Sequence, residues 1–352
     1  MTAVELSAFP PRPKLRGRRV ELATLERAIL AHRPSRVALV GPGGSGKSVL
    51  AAAIGHRVSH AFGGRVHWVR IGAWDFRTCI ELLAMRFRKK TLADLRALFR
   101  DEERLVVLDN HEDDRATATL LDAFARTKVS FMLTARRCLL GGVFVFPVTA
   151  PLVTSGRAAF PRARALTAML RWNPLALDLA DAIIASRASS AASLGRDLVS
   201  KGLGRVRALD HEDDVPEVAG LVDWCWRHLP RESHRVLTVL AHTGGDHVDV
   251  ESLARLSRQS PRAGLAPLVR FRLVQEHFRD RFALHAVVRH AVQKRTRFDP
   301  ARFYAHYITM LERDPARLQW EQTHLFAAMD WAYRIGDRAR ILRVEALLDR
   351  LS

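Results

Sequence analysis

The densest chemistry in the chain lies in Gly41 to Ser48, GPGGSGKS. It matches the pattern GxxxxGK[ST], in which glycines let the backbone curl and turn its N–H groups toward a phosphate. Gly41, Gly43, Gly44 and Gly46 supply that freedom, and Ser45 sits within the curl. Lys47 can reach the β and γ phosphates of a nucleotide, and the Ser48 hydroxyl can hold Mg2+. Val49 follows in the first turn of the expected helix and completes the candidate phosphate-binding set. A helix starting at this point adds its positive N-terminal end.

A Mg2+–nucleotide site also needs an acid at the end of a neighbouring strand. RLVVLDN (104–110) offers Asp109 after four apolar residues, Leu105 to Leu108. In open α/β sheets ligands bind at that carboxyl edge. Asp109 is thus the candidate metal-side acid; the lesser alternative is an Asp that only caps the following helix. The next residue is Asn110, which cannot take a proton from an attacking water. Glu112 and Asp113 are near, but the sequence does not place either one on that water. Slow hydrolysis is the expectation. SFMLTARR (130–137) adds a third element. Thr134 and Arg136 close an apolar strand, so Arg136 is either a sensor of the γ-phosphate or a solvated arginine. Lys47, Asp109 and Arg136 form the candidate catalytic group.

The elements that must position these residues follow from periodicity. Val20, Leu22, Leu25 and Ile29 fall on one helix face. SRVALVG (35–41) reads as a buried strand, followed by a turn and a helix from Lys47 to Ser59. Strands are expected over 65–73, 104–110, 128–136 and 142–148, and helices over 76–88, 92–100 and 114–126. Strands alternating with helices imply a parallel sheet covered on both faces. After Pro151 the periodicity is helical through residue 200. Helices then fit 217–228, 231–241, 249–257 and 262–270. RLVQEHF and RFALH form a hairpin around Arg279-Asp280, followed by a helix from Ala286. Helices followed by a hairpin is the order of a winged helix. Residues 299–352 are helical, with Asp299-Pro300 as a cap and Gly336-Asp337 as a break.

Composition bounds the function. The 352 residues are 48% hydrophobic and 26% charged, which excludes a disordered or low-complexity chain. The longest uncharged apolar run, Leu139 to Leu152, is broken by glycines and prolines and is too short to span a bilayer. The N-terminus lacks an apolar signal core, so export is not expected. Cys79, Cys138 and Cys225 are far apart and fit a reducing compartment, so a cytoplasmic location is expected. The net charge of +19 keeps polyanions, including nucleic acid, among the partners. The basic residues are spread along the whole chain, as on solvated helix faces.

These motifs, in this order, resemble an NB-ARC-type STAND P-loop ATPase. LRGRRVELATL (15–25) resembles the family's opening motif beside the adenine. That resemblance places Arg16, Gly17 and Arg18 at the nucleotide. LVVLDN, FMLTARR and FPVTAPL resemble its Walker B, its sensor strand and its lead-out from the sheet. RWNPLALDLA (171–180) resembles the GLPLAL motif, with Pro174 kept. FALHAVVRHA (282–291) resembles the MHD segment, with His285 matching and Ala286 in place of the acid. QTHLFAAMDWAYRIGD (322–337) resembles the start of a helical repeat region. The resemblance implies an α/β P-loop domain, a helical lid, a winged helix and a TPR-like helical segment. The expected divisions are a lead-in at 1–14, then 15–152, 153–210, 211–297 and 298–352. It also implies ATP/ADP and Mg2+ as ligands, with Pro174 and His285 holding ADP in a closed state. By residue pattern alone, His285 reads as a packed histidine at a strand end.

The function implied is a switch, closed with ADP and opening or oligomerising on exchange for ATP. Its partners would be adenine nucleotide, further copies of itself and an unidentified effector or sensor protein, with no membrane role. The other reading is a DNA-binding ATPase. It draws on the net charge and on Arg255, Arg258, Arg262, Arg270 and Arg272 around the candidate recognition helix, whose Leu265, Ala266, Leu268 and Val269 are apolar.

Overall fold

Five short apolar runs become the strands of one parallel sheet. The computed structural model describes residues 9, 10, 12, 13, 15, 18–71, 75–149, 160–200, 214–244, 247–277 and 280–349. The chain divides into two compact units, residues 1–159 and 160–351.

In the first unit the strands are β1 (Arg36–Val40), β2 (Val66–Arg70), β3 (Arg104–His111), β4 (Val129–Ala135) and β5 (Phe144–Pro147). Their order is β2-β3-β4-β1-β5, and all neighbours are parallel. Leu105 to Leu108 and all of β4 are buried, without alternation, because helices cover both faces. Helices α1 (Arg19–Leu30) and α2 (Lys47–Val58) cover one face. Leu25, Ile29, Leu50, Ile54 and Val58 pack there against Val37, Leu39, Leu105, Val107 and Met132. On the other face Phe131 meets an aromatic chain. Its ring lies 6.0 Å from Phe124, which is 5.1 Å from Phe99, which is 5.0 Å from Phe87. Those rings come from α3 (Phe76–Arg86), α4 (Leu92–Asp101), α5 (Asp114–Ala123) and their ends. Thr91 and Asp94 start α4 with reciprocal cap bonds.

The expected strand over 142–148 is shorter, because Gly142 takes a left-handed turn (φ 67°) before it. Val20, expected on the apolar face of α1, is 74% exposed. The helix begins at Arg19 and turns Leu25 and Ile29 inward instead.

The second unit is helical around a small antiparallel sheet. Helices α6 (Pro174–Ala185) and α7 (Ala191–Ser200) come first. Next are α8 (Pro216–His228), α9 (Arg231–His242), β6 (Val248–Asp249), α10 (Val250–Ser257), α11 (Pro261–Arg270), β7 (Val274–His277), β8 (Arg281–Leu284) and α12 (Ala286–Gln293). The sheet order β6-β8-β7, with α9 to α11 packed on it, is a winged helix. β6 has only two residues, too few for an alternation signal, and the sequence did not reveal it. Helices α13 (Pro300–Arg313), α14 (Leu318–Ile335) and α15 (Arg338–Asp349) follow, with Gly336 (φ 71°) as the expected break. One continuous core runs from Ala163 to Leu347. Trp224, 1% exposed, lies within it and donates from Nε1 to Asp197 Oδ2 at 2.9 Å. Among the described residues no helix is long and apolar enough to cross a membrane, and Cys79, Cys138 and Cys225 are free thiols.

Gly264 on α11 lets α9 approach. A Cβ there would stand 2.8 Å from the Glu232 carbonyl oxygen and 2.9 Å from Val236 Cγ2. Helix propensity would favour alanine by about 0.8–1 kcal/mol. Overpacking against backbone costs about 1–3 kcal/mol and should win. Gly264→Ala is expected to lower the thermal midpoint of the second unit, measured by circular dichroism.

Candidate phosphate and metal site

The glycine-rich turn leaves the C-terminal end of β1 and enters α2. Gly44 (φ 77°) and Gly46 (φ 90°) are left-handed, a conformation a side chain would strain. Gly41 is needed for a different reason: a Cβ there would lie 2.5 Å from the Val148 carbonyl oxygen. Gly43, Gly44 and Ser45 are buried, and Val49 is 43% exposed one turn into the helix.

Lys47 folds back over the loop. Its Nζ donates to the carbonyls of Gly41 at 2.7 Å and Pro42 at 2.9 Å. Its pKa is lowered to about 8, chiefly by burial and then by the nearby Arg136 charge, with Asp109 opposing the fall. Arg136, just past β4, therefore lies close enough for its charge to act on Lys47.

β4 lies between β1 and β3, so Asp109 is one strand removed from the loop's own strand. Two hydroxyls bridge that gap. Ser48 Oγ donates to Asp109 Oδ1 at 2.7 Å, and Thr134 Oγ1 donates to the same oxygen at 2.6 Å. Thr134 Oγ1 also accepts the Asn110 N–H at 2.9 Å. The pairing of β3 with β4 slips between Leu108 and His111, where Asn110 adopts φ 62°. Its amide nitrogen bonds the Glu112 carboxylate. The structure thus brings Lys47, Ser48, Asp109, Thr134 and Arg136 together. Sequence reasoning had no signal for the Asn110 bulge or for Thr134 as the link between two strands.

The oxygen pair of Ser48 and Asp109 fits a hard divalent cation, which prefers oxygen ligands. Ser48 and Asp109 would hold Mg2+ there, which would supply positive charge against that of a bound polyphosphate.

Arg18 is 6% exposed. Its Nη2 donates to the Ser45 carbonyl at 3.2 Å and the Thr149 carbonyl at 2.8 Å, and its Nη1 pairs with Glu21 at 3.0 Å. Arg16 and Gly17 lie outside the described residues.

Pro174 and His285 belong to the second unit. Pro174 is the first residue of α6, capped by Asn173, whose Oδ1 accepts from the N–H groups of Leu175 and Ala176 at 3.1 Å each. Arg171 (φ 47°) and Trp172 (φ 56°) are both left-handed before it, which is uncommon for such side chains. His285 caps α12. Its Nδ1 accepts the Val287 N–H at 3.3 Å, so the neutral ring carries its proton on Nε2. On α11, Leu265 and Leu268 are buried while Arg262, Ala266, Val269 and Arg270 face outward. Arg270 donates to the Ser186 carbonyl and Arg272 pairs with Asp178 of α6, so both are engaged within this unit.

No protein-family model matches the chain, and no curated protein matches it. Among solved structures it is similar to a signal transduction ATPase with numerous domains (STAND) from Pyrococcus horikoshii that has a tetratricopeptide repeat sensor. The identity is 15% and the TM-score 0.60, over 98% of this chain and 59% of that one. This chain thus spans 59% of that protein's length. It is also similar to Cdc6p from Pyrobaculum aerophilum, at 14% identity and a TM-score of 0.36, over 84% of this chain and 99% of that one. A Walker-type ATPase of Pyrococcus abyssi matches at 16% identity and a TM-score of 0.35, over 81% and 99%. The sheet, the loop and the first of these likenesses define a P-loop NTPase fold followed by a helical C-terminal part.

Two outcomes follow from this geometry. A bound polyphosphate stabilises the charged lysine, so its pKa rises on binding and protons are taken up. The advantage of wild type over Lys47→Ala in pyrophosphate affinity should shrink above about pH 8, by up to about tenfold per pH unit, as Lys47 deprotonates. Calorimetric titration of both proteins from pH 7 to 9.5 measures this, with the variant as reference for the ionisation of pyrophosphate itself. Separately, Mg2+ should strengthen ATP binding to the wild type and leave Asp109→Asn unaffected, as read by titration with and without Mg2+.

Proposed function

We propose that this chain is an adenine-nucleotide-binding P-loop ATPase of the STAND class, working as a switch. The observation that carries the reading is the convergence of Lys47, Ser48, Asp109 and Thr134 at one sheet edge. Adenine over guanine rests on the resemblance to NB-ARC-type proteins, because no TKxD or NKxD motif is present. Hydrolysis is slow in this reading, since Asn110 stands where an acid would activate water. ADP holds the closed state, and exchange for ATP opens it and permits self-association. The lever is a difference in nucleotide affinity between the two conformations. Output passes to an effector or sensor protein.

In this switch His285 and Pro174 act on bound ADP. The tautomer set by the α12 cap makes Nε2 of His285 a donor, as a β-phosphate oxygen requires. The DNA-binding alternative is weaker, because Arg270 and Arg272 of its candidate surface are engaged with α6 and its turn.

The test measures ADP release. A hydrogen bond to a charged group is worth about 1.5–3 kcal/mol. His285→Ala should therefore speed ADP dissociation by about tenfold or more, in stopped-flow with a fluorescent ADP. An unchanged off-rate removes His285 from the clamp. Failure of the wild type to bind ADP or ATP removes the nucleotide reading altogether.

A further inference from the structure

We propose that Arg18 is a positioning residue of the phosphate loop: held beneath it, its guanidinium fixes the Ser45–Gly46 peptide so that the Gly46 N–H faces the phosphate. The inference rests on the nucleotide reading above and adds a residue that acts through the loop, without touching base or phosphate.

The argument starts from peptide geometry. A trans peptide is planar, and its C=O and N–H point in opposite directions. The Ser45 carbonyl accepts from Arg18 Nη2 at 3.2 Å, in a contact buried from solvent. The Gly46 N–H is therefore directed away from Arg18. Gly46 reaches that orientation with φ 90°, which glycine alone adopts without strain. The guanidinium favours that plane over its flipped form. A flip would put a carbonyl dipole where an anion must sit.

The same side chain ties the loop to two other segments. Its Nη2 also donates to the Thr149 carbonyl at 2.8 Å, at the chain's exit from the sheet, and Nη1 pairs with Glu21 at the start of α1. The exit segment is held a second time, because the Val148 carbonyl packs into the notch left by Gly41. Val148 N–H, in turn, donates to the Val40 carbonyl at 2.6 Å. A buried charge with three acceptors is specific: a fork of fixed geometry is what arginine provides and lysine does not. Ser45 supplies an independent sign that the loop awaits a ligand. It is 2% exposed, and its Oγ has no hydrogen-bond partner among the described residues. Buried hydroxyls are normally satisfied.

The experiment titrates the full chain with ADP, AMP and inorganic pyrophosphate, comparing wild type with Arg18→Met and Arg18→Lys, each first checked as folded by circular dichroism. Arg18→Met should lose at least about tenfold in affinity for ADP and pyrophosphate, the scale of a charge-assisted hydrogen bond, and distinctly less for AMP. Arg18→Lys should restore part of that loss. Equal losses for ADP and AMP would indicate a general structural role and overturn the proposal, as would an unchanged ADP affinity. Should neither variant fold, the wild type still decides. Hydrogen exchange should show ADP protecting residues 41–48 and 148–149 together, and protection confined to 41–48 overturns the latch. If wild type binds no ADP, the nucleotide reading has failed, which differs from wild type and Arg18→Met binding ADP alike.

Discussion

One carboxylate oxygen, Oδ1 of Asp109, holds the site together. It accepts from Ser48 on the loop helix and from Thr134 on the intervening strand. The strand order makes this necessary. With β4 between β1 and β3, the loop and its acid cannot be neighbours by backbone pairing, so side chains must span the interval. Hydroxyls suit that task because each donates one bond and still accepts others. Thr134 uses both capacities, giving its proton to Asp109 and taking the N–H of Asn110. The left-handed bulge at Asn110 follows from the same bond, since it turns that N–H toward Thr134. A local backbone outlier at a functional edge is thus explained by a named partner.

Lys47 shows the opposite economy. It spends its charge on the loop's own carbonyls, close to Arg136 and in part shielded from water. Burial and the Arg136 charge disfavour the charged lysine while the two carbonyls and Asp109 favour it, and the lowered pKa shows that the first pair wins. A phosphate beside Lys47 would add an anion that favours the charged lysine and offsets Arg136. The site therefore gains more from a phosphate than the count of new hydrogen bonds suggests.

Much of this was legible in the sequence. The runs RVALV and RLVVLDN are continuous rather than alternating, and that signals strands covered on both faces. The spacing of GPGGSGKS fixed the loop, and the acid after four apolar residues fixed Asp109. Two kinds of feature escaped. Pairing order was one: sequence places Thr134 at a strand end without saying that this strand lies between the other two. Side-chain direction was the other. The opening motif put Arg18 near the nucleotide by resemblance, but its guanidinium goes to carbonyls at positions 45 and 149, and no local pattern encodes a contact across that separation. β6 was missed because two residues carry no period.

The second unit is held together by several contacts between its helices and its small sheet. α7 is tied to α8 through Trp224, and α6 to the winged helix through Arg272–Asp178 and the Arg270–Ser186 bond. The winged helix is sealed to the C-terminal helices in turn. Arg281 on β8 pairs with Glu321 on α14 at 2.6 Å, with side chains 5% and 0% exposed. Removing either partner by mutation would leave an uncompensated buried charge, at about 3–5 kcal/mol. Uncovering Trp224 would cost about 2–5 kcal/mol more in buried apolar area. A motion that leaves the core from Ala163 to Leu347 intact breaks neither of them. Opening between α6–α7 and the winged helix would break contacts within that core and is disfavoured.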